Sequence, residues 1–425
     1  MKHIVFILGN YYPFYSAVGN CAEKVISSLK EEYKVSVIST KNSVELEDFE
    51  VYNGYEIHRV ESKFQKEFNS LSVNAESNRI DKFKFTLCRV KNLIKFLFRP
   101  ESVDQSLTTL YVNKLNDVNT KEKIDVVVPL IFPIESAVAA MKFQKLTGSN
   151  CYIIPYWFDN FANSVSLHRF NLNRRLKYKR NRAIELELVN NAKSIIAMHP
   201  LQEHFNSTLP YSLYKKIKFT EHPLLLERDL KRRVIESDKI RFAYTGGLFK
   251  GVRTADGCLN VFSELAKLIN IKVDFYCFGT GASAVDLYEK QSPKYFQNYG
   301  MVSRTVAEQA VTDADILISI GDVEGKQLSS KIFDYLSLGK PIVHFAYVES
   351  CVNSKILMKY PLSLTIQLRQ DNQYEAVILN SFVKFCNEVK GKRLDFGQVS
   401  NIYPEAIPQT TAKLFSKIIS TNAEY

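Results

Sequence analysis

The chain lacks the sequence features of a membrane-spanning helix, a disulfide framework and a zinc site. No stretch reaches about 18 consecutive apolar residues, the length that a spanning helix requires. The seven cysteines include no Cys-x-x-Cys pair and the seven histidines no His-x-x-x-His pair, so we expect no bound metal. An odd, unpatterned set of cysteines indicates buried, reduced thiols and therefore a cytoplasmic protein.

Glycine and proline are also scarce, with 16 and 13 residues among 425, while 46% of the chain is hydrophobic. This composition predicts a folded chain. The length exceeds that of one compact core of usual size, so about two or three domains are expected.

Acidic residues are outnumbered, because 45 aspartates and glutamates face 56 lysines and arginines and leave a net charge of +11. A basic balance suits nucleic acid, an anionic membrane surface or phosphorylated small molecules. The sequence contains no motif of a nucleic-acid-binding module, so we expect no nucleic acid partner.

The basic residues concentrate in two segments, residues 82–99 and 174–182. A helix over the first segment would carry an apolar stripe formed by Phe83, Leu87, Val90, Ile94 and Leu97. Lysines and arginines occupy its other side, as in helices that lie on anionic lipid. The second segment holds six cations and no acid: Arg174, Arg175, Lys177, Lys179, Arg180 and Arg182. Both segments predict peripheral contact with the inner face of a membrane, although a helix packed on the core and a solvated charged face explain the same patterns.

Short β-branched runs alternate with helical periods along most of the chain, and this alternation predicts an α/β protein. The first series of predicted strands covers residues 4–8, 35–39, 55–60, 124–129, 151–155 and 194–198. The second series covers residues 241–244, 273–277, 296–299, 316–319, 341–345 and 363–366. We therefore predict two doubly wound, Rossmann-like domains in tandem, each with a parallel sheet.

Interruptions of this alternation set the predicted domain boundaries. The first domain covers residues 1–222, with a helical insertion at about 62–120, where the chain is polar and then amphipathic. The charged stretch 227–239 is predicted to link it to a second domain at 223–402. A last helix is expected within residues 403–425.

The segment from Glu324 to Val343 reads EGKQLSSKIFDYLSLGKPIV, a polar loop followed by a helix and a buried strand. The loop follows a predicted strand and leads into a helix N-terminus, where free backbone N–H groups favour phosphate. We predict contacts to the phosphates of a nucleotide from Ser329, Ser330 and Lys331. Asp334, about one turn further on, is predicted to accept hydrogen bonds from the ribose. An ordinary helix and strand of a parallel sheet is the alternative interpretation.

A second phosphate-binding element is predicted where AYTGGLFKGVRT places Gly246 and Gly247 beyond a strand. Lys250 and Arg253 follow, just before a helix. Cations at this place suit a pyrophosphate, because they neutralise the negative charge that builds up on a leaving diphosphate. The alternative is that either cation is an exposed surface charge.

The run Ser-Lys-Ile-Phe-Asp-Tyr-Leu before Gly-Lys-Pro-Ile resembles the donor-binding element of GT-B glycosyltransferases, and the glycine-rich run resembles their Gly-x-x-x-Lys/Arg element. The likeness is to the family-four type of retaining glycosyltransferases, the group 1 transferases of bacterial surface polysaccharide synthesis. It implies two Rossmann-like domains that face a central cleft, with the acceptor in the first, the donor in the second, and the last helix crossing back to the first. It also implies transfer of a hexosyl group from a nucleotide sugar (UDP-, GDP- or another) to a glycan or lipid-linked acceptor, with retention and without metal or further cofactor.

Three further turns resemble elements of the same family. GNYYPFYSAVGN, which contains Gly19, resembles the Pro-x-x-x-Gly-x-Gly loop near the donor phosphates, although Ala17 replaces the first glycine of the usual pair. CFGTG, with Gly279, resembles the strand-Gly-x-Gly turn near the nucleotide. The turn around Val302 resembles the base-contacting element. Plain turns are the alternative interpretation.

The run YWFDNF places Asp159 beyond the fifth predicted strand, beside Tyr156 and Trp157. Aromatic rings suit the apolar face of a sugar while a carboxylate binds its hydroxyls, and in the family this turn holds a catalytic or acceptor-orienting group. Asp159, Arg253 and Lys331 are therefore the predicted catalytic residues. A cap on a local turn is the alternative role for Asp159.

The chain departs from the family pattern at two places. Lys326 stands where many members carry the first of two glutamates, and Asp334 takes the place of the second. The histidine often found after the fourth strand is absent, which leaves Glu135 as the only ionisable residue of that turn. Two alternatives therefore stay open: a GT-B sugar-nucleotide epimerase, and a catalytically inactive GT-B scaffold that binds a glycan or a partner.

Overall fold

Two compact units make up the computed structural model, which describes residues 1–74, 79–148, 150–164, 167, 170–228, 233, 238–369 and 376–421. Unit 1 comprises Met1–Pro223 and Pro408–Tyr425, and unit 2 comprises Leu224–Ile407. Most of the predicted linker at 227–239 lies outside the described residues.

Unit 1 contains, in chain order, β1 (His3–Ile7), α1 (Ala17–Leu29), β2 (Lys34–Thr40), β3 (Phe49–Tyr52), β4 (Tyr55–Val60), α2 (Lys63–Asn74), α3 (Arg79–Phe98), α4 (Gln105–Lys121), β5 (Val126–Pro129), α5 (Glu135–Leu146), β6 (Tyr152–Ile153), β7 (Tyr156–Trp157), α6 (Asn171–Asn191), β8 (Ile195–Met198), α7 (Gln202–Thr208), α8 (Tyr211–Tyr214) and β9 (Ile217–Thr220). One sheet has the strand order β3-β4-β2-β1-β5-β6, and β7, β8 and β9 form another. Only the pairing of β3 with β4 is antiparallel among the described strands. β1 and β5 are buried along their whole length, as expected when helices cover both faces of a parallel sheet.

Unit 2 contains β10 (Ile240–Gly247), α9 (Asp256–Leu265), β11 (Ile271–Phe278), α10 (Ser283–Gln291), β12 (Phe296–Asn298), α11 (Arg304–Asp313), β13 (Ile316–Ile320), α12 (Lys331–Ser337), β14 (Ile342–Ala346), α13 (Val352–Leu357), β15 (Ser363–Gln367), α14 (Ala376–Val389) and α15 (Phe396–Ile402). Its sheet is parallel, in the order β12-β11-β10-β13-β14-β15. This is the Rossmann strand order, in which the direction of winding reverses between β10 and β13. Ligands of such sheets bind beyond the carboxyl ends of the strands at that reversal.

The two parallel-sheet units confirm the predicted α/β fold class. The prediction of a single sheet in the first domain is wrong, because the predicted strand 194–198 forms β8 in the smaller sheet. Pro155, between β6 and β7, has no N–H group to donate to a neighbouring strand, so the ladder is interrupted there. A single bridge between Leu130 and Tyr156 connects the two sheets.

The predicted insertion at 62–120 belongs in part to the core. α4 packs in the core of unit 1, where the fully buried Tyr111 donates its hydroxyl to the carbonyl oxygen of Leu8 at 2.8 Å. α4 is the crossover helix that two parallel strands require between β4 and β5. The part of the insertion that lies outside this crossover is therefore α2 and α3.

The last helix of the chain, α16 (Pro408–Ser420), is part of unit 1. It packs against α1. The ring of Phe415 lies 5.9 Å from that of Phe6 on β1 and 5.5 Å from that of Tyr156 on β7. α16 thereby adds an aromatic side chain from the other end of the sequence to the core of unit 1.

The apolar stripe of the first basic segment points to solvent. Its exposed members on α3 are Phe83, Leu87, Val90 and Ile94. The alternative that this stripe packs on the core is therefore wrong. A different side of α3 packs on the protein, where Phe85 lies 4.9 Å from Phe68 of α2 and Cys88 is buried. No helix within the described residues, α3 included, is long and apolar enough to cross a membrane.

The second basic segment is only partly a surface cluster. Lys177 is buried, its ammonium donates to the carbonyl oxygen of Phe96, and burial lowers its pKa. Arg182 is buried as well and pairs with Glu185 at 2.7 Å. The interpretation of all six cations as one exposed lipid-binding or solvated cluster is therefore wrong. Arg175, Lys179 and Arg180 are the fully exposed members.

Candidate nucleotide-binding site

The carboxyl end of β10 meets the first residue of α12 at the reversal point of unit 2. β10 ends in Gly246 and Gly247, and the φ angle of Gly246 is 142°, which glycine adopts without strain. A Cβ atom on Gly246 would lie 2.8 Å from Cε and 3.1 Å from Nζ of Lys331. The ammonium group of Lys331 therefore rests against bare backbone at the end of β10.

Arg253 lies beside this contact. The loop after β10 closes on itself, because the N–H of Phe249 donates to the carbonyl of Arg253 at 2.8 Å and the N–H of Arg253 donates back at 2.9 Å. The guanidinium Nε of Arg253 is buried and has no hydrogen-bond partner among the described residues. Burial lowers the pKa of Lys331, Asp334 opposes this, and the nearby charge of Arg253 lowers it further.

Two neighbouring cations that lie against glycine backbone are an arrangement that suits an anion. Each cation disfavours the charge of the other, so an anion between them stabilises both. A diphosphate has enough negative charge and enough acceptor oxygens to bind a guanidinium and an ammonium together. The fold therefore brings together the predicted residues Arg253 and Lys331 beside Gly246, which directly precedes the predicted residue Gly247.

Hydrogen bonds from β10 and from the start of unit 2 hold α12 in place. The hydroxyl of Tyr335 lies 3.3 Å from both the backbone nitrogen and Oγ1 of Thr245. The N–H of Leu226 donates to Oγ of Ser337 at 3.1 Å. Lys331 thus projects from a helix whose position is set by polar contacts as well as by its buried apolar face.

A carboxylate shapes the polar loop between β13 and α12. Buried Asp322 accepts hydrogen bonds from the N–H groups of Glu324 and Lys326, each at 3.2 Å, and from that of Gln327 at 2.9 Å. Sequence analysis missed this role, although an acidic residue directly after a buried strand is a usable signal. The carboxylate of Asp322 therefore fixes the bend of this loop.

The predicted phosphate contacts at the start of α12 need one correction. The N–H of Ser329 donates to Oδ1 of Asn353 at 2.9 Å, so it is not available to a phosphate. Asn353 was also missed by sequence analysis. The side chain of Ser330, the N-cap residue, accepts no hydrogen bond from a backbone N–H group of the helix. The hydroxyl groups of Ser329 and Ser330 stay candidates for ligand contact.

Asp334 lies on α12 one turn beyond Ser330, and it forms an ion pair with Arg228, a contact that was not predicted from the sequence. The guanidinium of Arg228 donates to the Asp334 carboxylate and lies 3.7 Å from that of Glu308. Burial raises the pKa of Asp334, and the charge of Arg228 lowers it. A single arginine 106 residues away carries no motif that would have pointed to this contact.

The remaining predicted donor residues of unit 2 lie in neighbouring turns. Gly279 has a φ angle of 105°, and a Cβ on it would lie 2.3 Å from the carbonyl oxygen of Leu248. This glycine is therefore required by the packing of two loops. Lys250 is exposed and its N–H donates to Oγ1 of Thr280 at 3.1 Å. Val302 is half-buried in the turn before α11.

Gly19 lies in unit 1, in the first turn of α1. Its N–H donates to Oγ of the N-cap Ser16 at 3.0 Å, and a Cβ on it would lie 2.5 Å from the carbonyl oxygen of Asn10. The close approach of the preceding loop to α1 therefore explains why residue 19 is glycine. The packing of unit 1 requires it without any ligand.

Asp159 also lies in unit 1, in the loop after β7. Its side chain is exposed, yet the surrounding protein displaces enough water to raise its pKa, and His222 partly opposes this. Tyr156 and Trp157 are fully buried, and Trp157 donates its Nε1–H to the carbonyl of Asp159 at 2.9 Å. The expectation that these two rings cover a sugar is therefore wrong, because the core of unit 1 needs them.

Glu185 anchors the same loop. Its buried carboxylate accepts the N–H of Ala162 at 2.9 Å and pairs with Arg182. His204 lies 3.4 Å from it through Nε2. A carboxylate that is buried on α6 thus holds the backbone that carries Asp159.

Glu135, the ionisable residue of the turn after β5, has a structural role. It is buried, and its Oε1 accepts the N–H of Asp104 at 2.5 Å, at the start of α4. Burial raises the pKa of Glu135 to about 7. No group of three or more metal-binding side chains is assembled among the described residues, here or elsewhere.

Comparison with known proteins finds likeness at the level of structure. Family models and curated proteins give no match. The lipopolysaccharide outer core galactosyltransferase WaaB shares 12% identity at a TM-score of 0.56, over 98% of this chain and 99% of that chain. TarM of S. aureus, in complex with alpha-GlcNAc-glycerol and UDP, shares 8% identity at 0.59, over 99% and 100%. The UDP-GlcNAc 2-epimerase of Neisseria meningitidis, bound to UDP-GlcNAc, shares 13% at 0.51, over 99% and 100%.

These likenesses cover nearly the whole of each chain. At such low identities they establish the fold alone, and the chain has the GT-B fold. The predicted GT-B architecture is therefore confirmed. The solved structures of this fold include both transferases and an epimerase, so the activity has to be argued from the site.

Proposed function

We propose that the protein is a glycosyltransferase that moves a hexosyl group from a nucleotide sugar to a glycan or lipid-linked acceptor. The observation that carries this proposal is the pair of cations, Lys331 and Arg253, beside the bare backbone of Gly246 at the reversal point of unit 2. That pair suits a diphosphate, and a diphosphate is the leaving group of nucleotide-sugar donors. Two of the similar structures contain UDP or UDP-GlcNAc, so uracil nucleotides are the first donors to test and GDP-sugars the next.

The proposed reaction retains the configuration at the anomeric carbon. The bond between that carbon and the diphosphate oxygen breaks, the acceptor oxygen bonds on the same face, and the acceptor proton passes to the departing diphosphate. Lys331 and Arg253 stabilise the charge on the leaving group, the role that a metal takes in other transferases, so we propose that no metal is required. Asp159 is proposed to orient the acceptor, and Asp334 the ribose.

The remaining assignments follow from the same proposal. Gly247, Lys250, Gly279, Val302 and the hydroxyls of Ser329 and Ser330 border the donor, and the loop of Gly19 is proposed to lie near the donor phosphates. The seven cysteines are all free and buried, which supports a cytoplasmic location. The proposed pathway is the synthesis of a surface polysaccharide or another glycoconjugate.

Nucleotide binding is the first test. Purified protein is screened by thermal shift against nucleoside diphosphates and nucleotide sugars, because a ligand that binds only the folded state raises the melting temperature. We expect a selective shift with one base that persists in EDTA. No shift with any nucleotide would favour an inactive scaffold and reject the proposal.

Transfer is the second test. The donor identified by binding is incubated with candidate glycan and lipid-linked acceptors, and the anomeric configuration of the product is read by NMR. Inversion would contradict the retaining reaction, and loss of transfer in EDTA would contradict metal independence. An Asp159→Asn variant should keep donor affinity and lose transfer if Asp159 acts on the acceptor.

A second candidate function is epimerisation of the nucleotide sugar, which the likeness to a UDP-GlcNAc 2-epimerase favours. An epimerase acts on its sugar nucleotide without any acceptor. Incubation of the donor with protein alone, followed by NMR, separates the two functions. A new epimer in the absence of acceptor would replace the transferase proposal.

A further inference from the structure

α3 and the first half of α6 carry an exposed apolar surface that the donor site does not use. On α3, Ile80, Phe83 and Phe98 are 63%, 70% and 84% exposed, and on α6, Leu172 and Leu176 are each 70% exposed. Single exposed apolar residues need no explanation, but a contiguous group of large ones marks a surface that binds a partner or a membrane.

Six of the seven large apolar residues that are exposed on α3, all except Leu93, follow the period of the helix. Positions 80, 83, 87, 90, 94 and 98 recur at intervals of three and four residues, so they share one face over about 27 Å. A separate side of the helix, with Cys88 and Phe85, packs on the protein. α3 therefore has two apolar sides, and the protein covers one of them.

Hydrogen bonds join the end of α3 to the start of α6. Nδ2 of Asn173 donates to the carbonyl of Leu97 at 2.9 Å, Lys177 donates to that of Phe96, and Nη1 of Arg180 donates to that of Pro100 at 3.3 Å. Side chains of α6 thus donate to carbonyl groups at and just beyond the carboxyl end of α3. The two basic segments that are far apart in the sequence form one joint surface in unit 1.

The positive charge around this surface indicates which kind of partner can bind there. The exposed cations around it are Lys82, Lys84, Arg89, Lys91 and Lys95 on α3 and Arg175, Lys179 and Arg180 on α6. Asp81, the acid on α3, lies 3.6 Å from Lys84 and is already paired. A second copy of the chain would bring an equally basic surface and be repelled. An apolar stripe edged by cations instead matches an anionic lipid bilayer, with acyl chains beneath phosphate headgroups.

We propose that α3 and α6 together dock unit 1 onto an anionic lipid bilayer. The apolar side chains enter the boundary between headgroups and acyl chains, and the lysines and arginines neutralise lipid phosphates. Lys177 acts as a positioning residue, because its buried ammonium ties the two helices together. The proposal does not depend on sugar transfer, since bilayer binding needs neither donor nor acceptor.

The test measures co-sedimentation of the whole protein with vesicles. Wild-type protein is expected to bind vesicles of phosphatidylcholine mixed with phosphatidylglycerol, and to bind pure phosphatidylcholine vesicles at least about ten-fold more weakly, because each cation near an anionic surface strengthens binding roughly five-fold. A Phe83→Ser/Ile94→Ser variant should bind the mixed vesicles about ten-fold or more weakly. A Lys91→Ala/Lys95→Ala variant should lose roughly five-fold for each cation.

Leu146→Ser is the matched control, because Leu146 is 67% exposed on α5, next to Lys145, which pairs with Glu187 in the second half of α6. It should bind vesicles like the wild type. All substituted positions are exposed, so unchanged melting temperatures are expected and show that the variants fold. Absence of vesicle binding, equal binding to both vesicle types, or equal loss in the control would overturn the proposal. A dimer that is detected by light scattering and dissociates in the Phe83→Ser/Ile94→Ser variant would also overturn the proposal, because a second copy of the chain would then occupy this surface.

Discussion

The ammonium group of Lys331 lies against the backbone of Gly246, 3.1 Å from the place that a Cβ atom of residue 246 would occupy. This contact joins the end of β10 to the first residue of α12. Arg253 lies near enough to lower the pKa of the same ammonium. Residue 246 is therefore glycine for two reasons, its φ angle of 142° and the cation beside it.

Substituting Gly246 tests this contact. Gly246→Ala places a methyl group 2.8 Å from Cε of Lys331 and imposes an unfavourable φ angle. We expect the free energy of unfolding to fall by about 1–3 kcal/mol, and the affinity for the bound nucleotide to fall because the ammonium is displaced. Denaturant unfolding and calorimetric titration measure the two effects.

Gly391→Ala is the control for backbone strain. Gly391 has a φ angle of 74° in the same unit, and a Cβ there meets nothing within 4 Å. It should lose stability and keep nucleotide affinity. If both variants bound nucleotide equally well, the placement of a diphosphate beside Gly246 would be wrong.

Removing either cation should weaken nucleotide binding without lowering the stability of the protein. Arg253→Ala and Lys331→Ala each remove a charge-assisted contact, so we expect affinity for the nucleoside diphosphate to fall about ten-fold to a hundred-fold. The melting temperature of the ligand-free protein should not fall, because each substitution relieves repulsion between the two cations. Lys326→Ala, at an exposed lysine of the preceding loop, is the control. Unchanged affinity in both variants would refute the assigned site.

The contact between Arg228 and Asp334 predicts a shift in the pH dependence of nucleotide binding. Burial raises the pKa of Asp334 and Arg228 lowers it, so Arg228→Gln should raise that pKa further. An ionised carboxylate is the better acceptor for a ribose hydroxyl. As the pH is lowered, nucleotide affinity should therefore begin to decline at a higher pH in the Arg228→Gln variant than in the wild type. Calorimetric titrations over a pH series measure this.

Lys267→Gln is the matched control for that experiment. Lys267 is exposed and pairs with Glu264 at 2.6 Å, and it is not among the charges that shift the pKa of Asp334. Its pH profile should follow the wild type. Superimposable profiles for Arg228→Gln and the wild type would show that Asp334 does not act through its carboxylate.

Glu135 should make stability depend on pH. Burial raises its pKa to about 7 in the folded protein, whereas an unfolded chain has a value of about 4.3. Between these values the folded state holds a proton that the unfolded state has released, so the free energy of unfolding falls as pH rises, by up to about 4 kcal/mol. Below about pH 4.3 the contribution of Glu135 to the free energy of unfolding is fully present.

Glu135→Gln isolates that effect. Glutamine keeps an oxygen to accept the N–H of Asp104 and does not titrate. Denaturant unfolding at several pH values should give a smaller decline for the variant than for the wild type between about pH 4.3 and 7. Equal slopes would mean that Glu135 is charged in the folded protein.

Much of the fold was predictable because buried parallel strands are marked locally. β1, β5 and β13 are buried along their whole length and consist almost entirely of apolar residues, and each lies within about two residues of its predicted position. β3, β7 and β9 were missed because β3 and β9 are short and partly exposed and β7 has only two residues. The donor loops were predicted for the same local reason, since glycines and cations follow strand ends directly in the sequence.

The sequence by itself determined the α/β class, the alternation of strands and helices in two series, and the identity of the cations near the end of β10. Only the tertiary structure decided which residues meet. It buried Trp157, turned Asp322 into the organiser of a loop, paired Arg228 with Asp334 and left the stripe of Phe83 exposed. The physical reason is that periodicity records how apolar each side of a helix or strand is, whereas burial and pairing depend on which distant segment covers that side.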